Sequence, residues 1–156
     1  MSRRDQDICH VRTEPDPPYA LAYDAITLGD SAALTQATQA IRALVISQHQ
    51  AVRGHLVAYL SRSSALTVSG EPFAPELIVR ARPDVLIVDL SQLGPDDLRR
   101  AIAAAQDIGT RLIALASIHE PADEQLVTQA GGLYRLKSAG PDGLAELVLD
   151  TATRRS

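Results

Sequence analysis

The chain has 156 residues, 46% of them apolar, and a formal net charge of −4. That length suits one domain, and that apolar content excludes a largely disordered chain. No apolar run approaches the roughly 18 residues of a membrane span, and no basic run exceeds two residues, so neither a membrane protein nor a dedicated nucleic-acid surface is expected.

The opening "MSRRDQDICH" is charged with no apolar stretch behind it, so no secretory signal is expected and the cytoplasm is the expected compartment. The single cysteine, Cys9, has no disulfide partner in the chain, and His10 beside it adds at most a second metal ligand. Residues 1–40 read as an N-terminal arm or tail. "TEPDPPYALAYDAITLGD" carries three of the nine prolines, Tyr19, Leu21 and Tyr23 alternate with small residues, and "SAALTQATQA" fits a short helix. Two readings stay open for it: a mobile tail, or an arm whose tyrosines pack on the domain or on a second copy.

From Ile41 to about residue 153 the pattern becomes regular, and residues 154–156 form a short tail. "RALVIS" (42–47), "ALTVS" (65–69), "DVLIVDL" (84–90), "RLIALAS" (111–117) and "LYRLK" (133–137) read as strands, the third and fourth apolar on both faces like buried parallel strands. Between them Val52, Leu56, Tyr59 and Leu60 recur at helical spacing, as do Leu98, Ile102 and Ala105, then Leu126 and Ala130, then Leu144, Leu147 and Val148; "PELIVRAR" (75–82) is a short second helix. Gly94-Pro95-Asp96-Asp97 and Gly140-Pro141-Asp142 place proline and acids at expected helix starts. Alternating strands and helices predict an α/β fold, a doubly wound five-stranded parallel sheet. Ligands of such folds sit at the carboxyl ends of the strands, and the third run ends on a carboxylate, Asp89. Burying a carboxylate alone costs several kcal/mol, so Asp89 sits at an open sheet end or is paired.

These residues resemble the receiver domains of two-component response regulators, the CheY-like members of the flavodoxin-like architecture. "IRALVISQHQAVRGHL" (41–56) resembles the first strand and helix of receivers fused to LuxR-type (NarL-type) DNA-binding domains. "RPDVLIVDLSQLG" (82–94) is similar to the third strand with its phosphoacceptor, and "AGGLYRLKSAGPDGLAELV" (130–148) to the fifth strand, its lysine and the last helix. The resemblance puts Asp89 at the phosphoacceptor position and Lys137 at the position that contacts the acceptor and the incoming phosphoryl oxygens. A carboxylate nucleophile and a neutralising cation are what such transfer requires. Read without the resemblance, Asp89 caps the loop after its strand and Lys137 is a solvated lysine.

The departures bear on function. Where receivers carry an acidic pair for Mg²⁺, this chain has Ser47 and Gln48, so Mg²⁺ binding is expected to be weak or absent and no other metal or cofactor is expected. Asp96 and Asp97 are the nearby acids, but they belong to a helix start. The switch hydroxyl of the fourth strand falls at Ala116, with Ser117 one place on, and a one-residue shift turns a strand side chain to the other face. Tyr134 matches the aromatic that moves with that hydroxyl, and equally fits a core tyrosine. Gln92-Leu93 replaces the usual Met-Pro of the loop after the acceptor. His49 matches a non-catalytic histidine of the LuxR-fused group. A cobalamin motif fails at Ser47 and Val52, His10, His55 and His119 lack ligand spacing, and no nucleotide-binding glycine motif is present.

The resulting expectation is an atypical receiver without enzymatic activity, working as a protein-interaction module in signalling or transcriptional control independently of phosphorylation. Its partner would be another signalling or regulatory protein at the fourth helix, fifth strand and fifth helix, residues 121–153. The sequence ends about where a LuxR-type output domain would begin. One alternative is a working response regulator that takes phosphate at Asp89 from a histidine kinase or small phosphodonor. Another is a structural, homodimerising or oligomerising domain with a vestigial pocket.

Overall fold

The computed structural model describes residues 39–154. The expected arm, with Cys9, His10, Tyr19, Leu21 and Tyr23, lies outside the described residues. Within them the chain alternates strand and helix: β1 (Ile41–Ile46), α1 (Gln50–Leu60), β2 (Leu66–Glu71), α2 (Pro75–Ala81), β3 (Val85–Asp89), α3 (Pro95–Asp107), β4 (Arg111–Ala116), α4 (Pro121–Gln129), β5 (Leu133–Leu136) and α5 (Leu144–Thr153). The strands form one parallel sheet in the order β2-β1-β3-β4-β5. The order reverses between β1 and β3, so the switch point lies at their carboxyl ends.

Strand alternation explains the layering. Leu44, Ile46, Leu86, Val88, Leu112 and Ala114 pack with Ile78 of α2, Leu98 and Ile102 of α3 and Val127 of α4. Their neighbours Val45, Val85, Ile87, Ile113 and Leu115 pack on the other side with Leu56 and Leu60 of α1 and Leu144 and Val148 of α5. A strand buried on both faces is apolar on both sides along its central residues, which is why β1, β3 and β4 lack the alternation of a half-exposed strand. No helix among the described residues is long and apolar enough to cross a membrane.

Two local expectations are corrected. Pro141 does not open the last helix. The chain makes a single 3₁₀ turn at Lys137–Ala139, Leu144 N–H donates to the Pro141 carbonyl at 3.0 Å, and Gly143 at φ 78° precedes α5. A backbone in the left-handed region cannot be part of a helix, so the start moves three residues along. The second strand also runs two residues further than expected, through Gly70. A Cβ at Gly70 would stand 2.7 Å from Val57 Cγ2 and 2.8 Å from Arg53 Cγ, so the absent side chain is what lets α1 lie close on β2. Gly70→Val is expected to lower stability by about 1–3 kcal/mol through overpacking. Urea-unfolding midpoints check this, and an unchanged midpoint would show that α1 yields freely.

Candidate functional site

Every residue of β3 is buried, including its last. The Asp89 side chain is only 1% exposed, although it lies at the mouth of the sheet. Both of its oxygens accept hydrogen bonds. Oδ2 accepts the Ser47 hydroxyl at 2.8 Å, while Oδ1 accepts the Ser91 N–H at 3.0 Å and the Ser91 hydroxyl at 2.7 Å. Lys137 Nζ lies 2.5 Å from the same Oδ1 and also donates to Ser91 Oγ at 2.5 Å. Since the single Ser91 hydroxyl proton goes to Asp89, Ser117 Oγ, 3.0 Å from Ser91 Oγ, is the donor in that contact. The carboxylate therefore ends β3 as both an ion-pair partner and a cap of the turn at Leu90–Gln92. No buried side-chain nitrogen or oxygen among the described residues lacks a hydrogen-bond partner.

Burial pushes the Asp89 carboxyl up. Lys137, the Ser91 hydroxyl, the Ser91 N–H and Ser47 pull it down further, and the net position is below the ordinary value of 3.8. A carboxyl whose folded pKa is depressed contributes stability above its unfolded value and loses it as pH falls through the folded one. The stability gap between wild type and Asp89→Asn is thus expected to be full at neutral pH and to close below pH 3.8. Unfolding midpoints of both proteins along an acid series measure this, and a gap constant with pH would mean the carboxylate charge adds nothing.

The other predicted positions divide into those that meet Asp89 and those that do not. Ser47 is buried against it, held from behind by Arg53, which donates to the Ser47 carbonyl at 2.7 Å. Gln48 is exposed and has no hydrogen bond into the site. Ala116 is buried and brings no hydroxyl. Ser117 reaches the site through Ser91 because β4 ends at Ala116, which frees the next residue from strand alternation. Tyr134 does not reach Asp89: its hydroxyl donates to the Ile118 carbonyl at 3.2 Å and accepts the Glu120 N–H at 3.1 Å, clasping the β4–α4 loop. Asp96 and Asp97 pair with Arg99 and Arg100 on α3 at 3.0 and 3.2 Å.

The donors around Asp89 do not fit Mg²⁺. That ion takes carboxylates together with phosphate and water, whereas the other side-chain oxygens here, from Ser47, Ser91 and Ser117, are neutral hydroxyls. Both carboxylate oxygens are already committed, and among the described residues no group of three His, Cys, Asp or Glu side chains could hold a metal ion. Sequence reasoning missed Ser91 and Arg53. The signal for Ser91 was local: Asp followed two residues later by a small hydroxyl residue is a turn-capping pattern. Nothing in the chain marked Arg53.

No family model and no curated protein matches the chain. Among solved structures, the signal receiver domain of the response regulator NarL from Mycobacterium tuberculosis is 30% identical, with a TM-score of 0.64, and the match covers 74% of this chain and 98% of that one. The chain belongs to the response regulator receiver domains. Two further receivers share its fold at lower identity. The response regulator domain of Thermotoga maritima CheB is 18% identical, TM-score 0.64, over 76% of this chain and 100% of that one. A LuxR-family DNA-binding response regulator from Staphylococcus aureus is 14% identical, TM-score 0.63, over 72% and 99%. The CheY-like layout read from the sequence is thus the fold of this receiver, and receivers serve two-component signalling.

Proposed function

We propose that this receiver is an atypical one, acting as a protein-interaction module in signal transduction or transcriptional control without taking up phosphate. The observation that carries the reading is the state of Asp89: 1% exposed, both oxygens engaged, paired with Lys137, and facing a serine where a metal-binding receiver has an acid. A carboxylate nucleophile needs an oxygen free to attack and a cation to offset charge on the transferring group. Here the one cation in contact is already ion-paired with the nucleophile itself. Weak or absent Mg²⁺ binding is expected from the same donor set, and the reading assigns the domain no enzymatic role.

The partner surface in this reading is α4, β5 and α5, residues 121–153, on a protein that works in the cytoplasm. β5 is an edge strand, and Leu133 on it is 40% exposed, which suits an apolar contact with another signalling protein. The Tyr134 clasp holds the adjoining loop in one arrangement, so the surface is presented constitutively. Phosphate acceptance at Asp89 from a histidine kinase is the second reading, favoured by the Lys137 side chain, which stays 27% exposed and open to a donor. Titration with the phosphomimetic BeF₃⁻ and Mg²⁺ separates the two. Amide resonances of residues 117–120 and Tyr134 are expected to stay in place; saturable shifts there would restore the second reading.

A further inference from the structure

A cleft opens between α1 and the segment that joins β5 to α5. β5 ends at Leu136 and α5 begins only at Leu144, and the intervening turn and loop form one wall of the cleft, over the buried Leu115. α1 lines the other wall with Ala51, Val52, His55 and Leu56. The result is a cleft of about 370 Å³ floored by Leu56, Leu115, Leu136 and Leu144 and walled by Pro141. That volume lies within the ~300–1,000 Å³ of small-molecule sites, and the exposed lining is mostly apolar.

The ionisable side chains that line the cleft are His55, Arg135 and Lys137, and no acid is among them, in a chain whose net charge is −4. Arg135 braces the wall, donating to the Gly140 and Asp142 carbonyls at 3.2 and 2.9 Å. Lys137 uses two of its three N–H donors, on Asp89 and Ser91, and keeps one. His55 is exposed, with no partner among the described residues. An apolar floor with cationic groups and spare donors around it matches an amphiphile of opposite charge.

We infer that the cleft between α1 and the β5–α5 loop binds a small aliphatic carboxylic acid, its chain on the four leucines and its carboxylate toward Lys137 and His55. The cleft shares Lys137 with the Asp89 pair and Leu115 is the β4 neighbour of Asp89, so the inference rests on the reading that Asp89 takes no phosphate, which mass spectrometry after acetyl phosphate treatment tests separately. Octanoate is the probe, titrated into the full chain while methyl resonances of Leu115, Leu136 and Leu144 are followed by NMR. Saturable shifts of these methyls are expected, with octanol and octylammonium binding at least about tenfold more weakly, the loss of one charge-assisted contact. Ala51→Phe, an added ring at an exposed helix position, is expected to abolish the shifts while leaving the melting temperature unchanged. Should Ala51→Phe unfold the chain, His55→Leu is the second variant, expected to weaken octanoate and not octanol. Absence of saturable shifts, octanol equal to octanoate, or octanoate binding undisturbed by a folded Ala51→Phe would each overturn the assignment.

Discussion

Replacing Asp89 with alanine is expected to lower stability by about 2–4 kcal/mol, one of the larger losses available outside the apolar core. The change removes the counter-charge of Lys137 and the acceptor for the Ser47 hydroxyl, the Ser91 hydroxyl and the Ser91 N–H together. Ser47 is buried, so its hydroxyl has only the His49 carbonyl, 3.3 Å away, to turn to. Lys137 is partly exposed and recovers some hydration, which holds the loss below that of a fully buried pair. Asp89→Asn keeps an acceptor and should lose less. A double variant adding Lys137→Met should regain part of the alanine loss, because the orphaned cation is then gone. Chemical unfolding of wild type, Asp89→Ala, Lys137→Met and the double variant measures the coupling, and an Asp89→Ala chain as stable as wild type would mean the network contributes nothing net.

The second large effect is a gain. Ser47→Asp with Gln48→Asp should convert a site that does not fit Mg²⁺ into one that does. In its absence of metal the new carboxylate at residue 47 lies where the serine oxygen was, 2.8 Å from Asp89 Oδ2, and two anions at that range repel. The double variant is therefore expected to be less stable than wild type without Mg²⁺. Adding the ion should reverse this, since a ligand that binds only the folded state stabilises it by roughly 2.7 kcal/mol at a hundred times its dissociation constant. Melting temperatures over a Mg²⁺ series decide it: a rise for the variant and a flat line for wild type are predicted. A wild type that gains as much as the variant would show that hydroxyls suffice.

How much of this could be read in the sequence depended on how local each signal was. β3 and its end on Asp89 were legible because an apolar run interrupted by one carboxylate has few physical explanations; of the two weighed, an open sheet end and pairing, the side chain is 1% exposed and paired with Lys137, and it also caps the turn. Lys137 was legible from its place after β5 and meets Asp89 from 48 positions away in the chain by virtue of the sheet order. The hydroxyl layer was not. Ser117 enters the site because β4 stops one residue before it, and a strand's last residue is set by tertiary pairing with Leu136, which the sequence does not display. Pro141 misled because proline followed by acids marks a helix start only when the backbone after it can be helical, and Gly143 at φ 78° interrupts it. Gly70 lies just past the expected strand and is a contact point for α1, which no local pattern displays.

The central claim is that Asp89 is held as a structural anion and does not act as a nucleophile. Incubation of the wild-type chain with acetyl phosphate and Mg²⁺, followed by intact-mass spectrometry at intervals, tests it most directly. The account predicts the unmodified mass throughout, in wild type and Asp89→Ala alike. A phosphoryl adduct on wild type that Asp89→Ala lacks would contradict it, and would make this carboxylate an acceptor.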